Sequence, residues 1–337
     1  MKQIYYILFI SILLTLSGCS WTHQLQMSTL RPAQVQYHRA YPNVIVVNNS
    51  IAPNSKENSR FIDANGKQYR IDFSTDSIPY LMAMSLGTLL HDSYTFNNVE
   101  VLLPDSNEIT GIEGINTQQK TKWQEIAPND VHIVINAIRP MATMSIIPLD
   151  GLFCSELVIA SVAQLQCIIP GKEDIYLTVN DTLYCSAYGE TPEIAQMYLP
   201  DFNECIEEAV VSLSQQALPL LAHHQSIVER CIFITGHPAM KDAFRYWENN
   251  QHLEASYIWK YVYNLANNKG RRAKAAANLA VYYELNDNYE KALKYAQEAA
   301  KTFVELKYTT EAEYAINYGI DLENRIKEYH ILHPGQQ

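Results

Sequence analysis

The most constraining stretch of the chain is residues 278–300, NLAVYYELNDNYEKALKYAQEAA. Leu279, Ala280 and Tyr283 keep helical spacing in its first half, and Tyr289, Ala292, Ala296 and Ala299 keep it in the second. The break falls at Asp287, a residue type that tolerates turn geometry. Small residues recur where bulky ones would hold two helices apart, so the pattern specifies a close helix pair. A weaker copy lies upstream. Met240, Ala243, Phe244 and Trp247 sit at i, i+3, i+4 and i+7, and Ala255, Trp259 and Val262 form a second face.

This pattern resembles a tetratricopeptide repeat. Ala255 to Ala292 is 292 − 255 = 37 positions, against about 34 for such repeats, and the Asn267-Asn268-Lys269-Gly270 loop accommodates the excess. A third unit, Glu311 to Tyr329, reads as a capping helix. In the register of the resemblance, Lys274, Val281, Glu284 and Leu285 line a concave face that takes a protein or peptide.

The preceding region has a different rhythm. Asn43–Asn48, Val99–Leu103 and Asp130–Ile138 read as strands, with a helix from Pro79 to about Ser93 and another at 117–127. That alternation implies a parallel sheet with helical crossovers. A short hairpin is expected at Asn65-Gly66. Residues 155–169 and 174–187 are long and rich in strand formers, with Pro170-Gly171-Lys172 between them and a turn expected at Asn180-Asp181. Asp201 reads as the N-cap of a helix to about Leu221, and 227–234 as a last strand. The expected fold is an α/β or α+β domain with a mixed sheet over 41–235, followed by an all-α, tetratricopeptide-like tail over 236–337.

At the N-terminus, Lys2 precedes an apolar run from Ile4 to Leu16, which is too short to span a bilayer. It ends in Leu16-Ser17-Gly18-Cys19, which resembles a bacterial lipoprotein cleavage box. The resemblance implies a signal peptide over 1–18, lipidation of Cys19, and a tether over 19–40. It implies the cell envelope, with an outer-membrane anchor facing the periplasm, because no acidic run follows Cys19. The formal charge is -11, so a nucleic-acid partner is not expected.

With Cys19 lipidated, Cys154, Cys167, Cys185, Cys205 and Cys231 remain. Their odd number leaves at least one unpaired, and buried free thiols are the favoured reading. Cys167 with Cys185 is the first pair to test. No phosphate-binding glycine loop, dinucleotide fingerprint, zinc-protease helix or serine-nucleophile elbow occurs. No cofactor, metal or catalytic residue is expected, and His223-His224 reads as a solvated helix end.

Four features in order resemble an uncharacterised lipoprotein family of Bacteroidota: Leu16–Cys19, Leu30–Ala33 leading into Val44–Ser50, Ile227–Arg230 through Gly236–Met240, and Ala276–Ala280. The first domain also looks loosely like the N-terminal α/β modules of TolB and CsgG, a fold-level likeness that carries no function. The resulting expectation is a non-enzymatic binding scaffold acting through the helical tail. The alternatives are an envelope hydrolase with a loop-built site near Asn48, Asn49 and Ser50, and a secretion-pore subunit with 155–187 as a membrane hairpin.

Overall fold

The computed structural model describes residues 22–37, 42–54, 59–103, 120–121, 125 and 127–333. The chain divides into two compact units, Pro32–His224 and Met1–Arg31 with Gln225–Gln337. The first holds a mixed sheet and the second an all-helical C-terminal region. The helix expected at 117–127 lies largely outside the described residues.

The α/β unit is organised by one long strand. β6 (Val131–Leu149) pairs in its first half with β2 (Asn43–Asn48), and in its second half with β3 (Ser59–Ile62), both parallel. β5 (Asn98–Leu102) flanks β2 in parallel, and β4 (Gln68–Arg70) flanks β3 antiparallel, as the Asn65-Gly66 turn requires. Along its whole length β6 pairs antiparallel with β7 (Leu152–Ile168), which pairs with β8 (Ile175–Gly189). Asp150 and Gly151 join β6 to β7 with φ of 44° and 87°. Two successive positive φ values make the two-residue turn whose twist matches a hairpin.

β8 runs unbroken, so the turn expected at Asn180-Asp181 is absent; Val162 and Ser161 of β7 pair with these two residues directly. The strict alternation of buried and exposed residues along β8 explains this, since a turn there would have flipped one half to the wrong face. Helices α1 (Ile78–Asp92) and α3 (Phe202–Leu221) bring Met82, Leu86, Val210 and Leu213 into a core with Val46, Ile133, Ile159 and Leu165. The short α2 (Pro192–Met197) lies between β8 and α3 in sequence. Asp201 caps α3, its carboxylate accepting from the Asn203 and Glu204 N–H groups.

The helical unit contains α4 (Pro238–Glu248), α5 (His252–Leu265), α6 (Lys269–Leu285), α7 (Tyr289–Glu305) and α8 (Thr309–Leu332). Each packs on its sequence neighbour. Three of the turns repeat one device. Asn250, Asp287 and Lys307 sit at φ of 58°, 56° and 59°. In each, the next N–H reaches five residues back: Gln251 to Tyr246 O, Asn288 to Tyr283 O, and Tyr308 to Phe303 O. This is the Schellman closure of a helix end, which satisfies carbonyls the helix leaves open.

Two expectations are corrected here. Thr22–Arg31, within the expected tether, is strand β1, and it pairs with β9 (His224–Phe233). β9 therefore belongs with β1 and the helices and not with the main sheet, which moves the unit boundary from 235 to 224. Ile232 and Phe233 bury among Trp259, Ala276, Leu279 and Phe303, an apolar pocket that small residues on α6 leave open.

Candidate functional site

The inner face of the helical unit is built by α6. Lys274, Asn278, Val281 and Glu284 fall on one stripe of that helix at i, i+4, i+7 and i+10. All four are buried, and Leu285 beside them is 38% exposed. What covers them is β9. The Asn278 carboxamide donates to Phe233 O and accepts from Phe233 N–H, both at 2.8 Å. Two residues earlier on the strand, the Tyr314 hydroxyl accepts from Cys231 N–H at 2.9 Å and approaches Cys231 O at 3.4 Å. Two side chains thus take the backbone groups that a neighbouring strand would otherwise take.

Arg230 anchors the same strand. Its Nε and Nη2 donate to the two oxygens of Glu284 at 2.8 Å each. Tyr318 donates to Glu284 Oε2 at 2.6 Å, and its ring lies 4.7 Å from the guanidinium. Burial works against the charged guanidinium, but the Glu284 hydrogen bonds and charge outweigh it and push its pKa up. Burial, then the Glu284 charge, pushes the Tyr318 hydroxyl well above its ordinary value. Lys274 lies over the Phe233 ring at 5.6 Å and within 3.5 Å of Thr235 Oγ1; burial lowers its pKa, and Glu311 partly opposes that.

Lys274, Val281 and Glu284, expected with Leu285 to line an open groove, are instead buried beneath β9. That face holds the chain's own strand. Nothing in the α6 stripe could reveal the occupant, because β9 lies outside the repeat. The sole sequence signal is Arg230, a charge in the middle of an otherwise strand-like run.

A second polar cluster lies at the carboxyl end of β2. An irregularity in β6 between Ile135 and Ala137 leaves Asn136 outside the paired register. Asn49 donates to Asn136 at 2.8 Å, Asn136 to Gln166 at 3.2 Å, and Gln166 to Asp174 at 3.0 Å. Lys120 Nζ lies 2.6 and 2.8 Å from the two Asp174 oxygens. Ser50 donates its hydroxyl to Asn48 Oδ1 at 2.8 Å. Carboxamides are poor acids and bases near neutrality, the one charged pair is internally neutralised, and Ser50 has an amide rather than a base as its acceptor. Among the described residues the hydrogen bonds of this cluster join strand ends and include no nucleophile–base pair.

Other expected positions are separate. Cys19 lies outside the described residues. The described cysteines are free thiols; Cys167 pairs in register with Ile175, and Cys185 with Leu157, which sets the two about 33 Å apart along the strands and rules out the pair put first for testing. Cys185 instead has its sulfur 3.8 Å from that of Cys205. His223 is not a solvated helix end. Its Nδ1 accepts from Ala33 N–H at 3.0 Å, and burial, with His224 adding, lowers its pKa. Among the described residues no group of three or more His, Cys, Asp or Glu could hold a metal ion, and no helix is long and apolar enough to cross a membrane.

A family model described as a domain of unknown function, DUF6340, matches residues 241–324, which run from α4 into α8. No curated protein matches the chain. Among solved structures, one that matches is described as a homolog of neuraminyllactose-binding hemagglutinin from Helicobacter pylori. Its identity is 8% and its TM-score 0.26, over 55% of this chain and 84% of that one. Neither description names a catalytic family.

Proposed function

We propose that the protein is a non-enzymatic binding scaffold of the cell envelope, anchored through lipid on Cys19 at the outer membrane and facing the periplasm, that takes a partner protein as an extended strand along β8. The anchor rests on Leu16-Ser17-Gly18-Cys19. Cys19 precedes the first described strand residue, Thr22, by three positions. A lipid there holds the helical unit, to which β1 belongs, within about 10 Å of the bilayer surface. The helical tail keeps its tetratricopeptide-like reading, but with its inner face filled it serves as a frame for β9 and not as the partner's groove.

The observation that carries the partner site is β8 itself. Among the described residues this 15-residue strand pairs only with β7, so one backbone edge is unpaired. It contains no Lys, Arg or Pro, residues that commonly blunt such edges. Tyr176, Tyr184 and Tyr188 stand out from it at 70%, 73% and 55% exposure. Main-chain pairing gives affinity in strand addition, and aromatic side chains flanking the edge give selectivity.

The test is capture from detergent-solubilised native membranes. Tyr176→Glu with Tyr184→Glu is expected to lose the partner, while Tyr257→Glu with Tyr261→Glu, also well exposed but on α5, retains it. Retention by the β8 variant, or loss by the α5 variant alone, would overturn the assignment.

A further inference from the structure

We infer that Cys185 and Cys205 form a disulfide that fastens β8 to the N-terminal end of α3 whenever a low-molecular-weight disulfide or a disulfide-exchange protein supplies the oxidant. The two sulfurs already stand 3.8 Å apart, in contact but unbonded. The alternation of β8 turns Cys185 to the same face as Leu183 and Val179, both of which pack in the core that contains Cys205 and Ile206 of α3. No other cysteine of this unit competes. Cys154 pairs in register with Tyr188, on the opposite face of the sheet from Cys185, and Cys167 lies ten residues away along the strands.

The chemistry balances with oxidised glutathione. Cys185 is the partly exposed member of the pair, so its thiolate attacks first, releasing one glutathione and leaving a mixed disulfide on Cys185. The Cys205 thiolate then attacks the Cys185 sulfur and expels the second glutathione. Two protein thiols lose two electrons and two protons, and two glutathione thiols gain them. The second step is slow and speeds up with pH. Burial, then the carboxylates of Glu208 and Asp201, hold the Cys205 thiol above its ordinary value in that step. The resulting loop encloses α2, and β8 gains a covalent tie to a helix on the face opposite its exposed tyrosines.

The test uses the full chain in detergent, reduced and then exposed to oxidised glutathione. Remaining thiols are alkylated and peptides mapped without reduction. The expected result is a 185–205 cross-linked peptide that dithiothreitol abolishes, together with a melting transition about 5–10 °C above that of the reduced protein. Cys205→Ala is expected to stop at the mixed disulfide on Cys185. Alkylation of both cysteines in the wild-type chain, a persistent mixed disulfide on Cys185, or its linkage to another cysteine would overturn the pair.

Discussion

Glu284→Ala is the sharpest probe of the filled inner face. The substitution removes the acceptor for two Arg230 N–H groups and for the Tyr318 hydroxyl. It leaves a guanidinium whose side chain is 5% exposed. Asp321 Oδ2, at 3.3 Å and on a half-exposed side chain, and the Glu229 carbonyl compensate in part. Breaking a buried pair costs about 3–5 kcal/mol, and that residual pairing sets the value near the lower end. Loss of the tyrosine's acceptor adds about 1 kcal/mol. The sum, about 4 kcal/mol, corresponds to a fall of roughly 10–15 °C in Tm for a unit of this size. The same residue on an open groove would form a surface pair worth only about 0.5 kcal/mol. Thermal and urea denaturation followed by circular dichroism separates the two. Replacing both Arg230 and Glu284 by Met is expected to recover most of the loss, since two apolar side chains of similar volume leave no unpaired charge. A single variant within 1 kcal/mol of wild type, or a double variant no better than the single, would refute a strand locked by this pair.

Two further outcomes follow from the same contacts. Asn278→Ala strips both backbone partners from Phe233; at about 1–3 kcal/mol for each buried group left unpaired, it is expected to destabilise the helical unit by about 2–6 kcal/mol and to speed hydrogen exchange at the Phe233 amide. Burial lowers the pKa of His132, His223 and His252 below 6.5, so the unfolded chain binds more protons than the folded one. Their contribution to stability is fully present above pH 6.5 and is lost as the pH falls through the depressed folded values; urea midpoints that stay flat or rise between pH 7 and 5 would contradict this.

Much of the fold was legible because local signals and burial agreed. β2 was bounded correctly, α1 and β5 to within one residue, and the 37-residue offset between helix pairs reappears as the distance between Asn250 and Asp287, two positive-φ turn residues. Asp150-Gly151 is a strong hairpin signal, and it carries β6 on to Leu149, well past the expected end at Ile138. β1 is hard to read from sequence for a physical reason. Its partner lies about 200 residues away, as the Ser28–Gln225 hydrogen bond shows, and its alternation is diluted by Gln and Ser that face solvent. The candidate groove was half legible for the same reason. A helix stripe records that something packs on it, but not whether that something comes from the same chain.

That distinction decides where a partner can bind. The inner face grips backbone through Asn278 and Tyr314, a grip with little dependence on the strand's side chains. Such a grip is taken by whichever strand has the highest local concentration. β9 is covalently attached, and β9 to α4 is only a few residues, so its effective concentration is at least on the order of millimolar. An incoming peptide would compete against that concentration and also against the Arg230–Glu284 pair, which it must break or duplicate. The fraction of molecules with an empty groove scales its apparent affinity down accordingly. The strand proposed to add at β8 would meet neither cost, since among the described residues that edge is unpaired and the nearby tyrosines are exposed. The inner face of the helical unit is thus occupied by the chain's own strand, which is why the partner is proposed at the β8 edge, unpaired among the described residues.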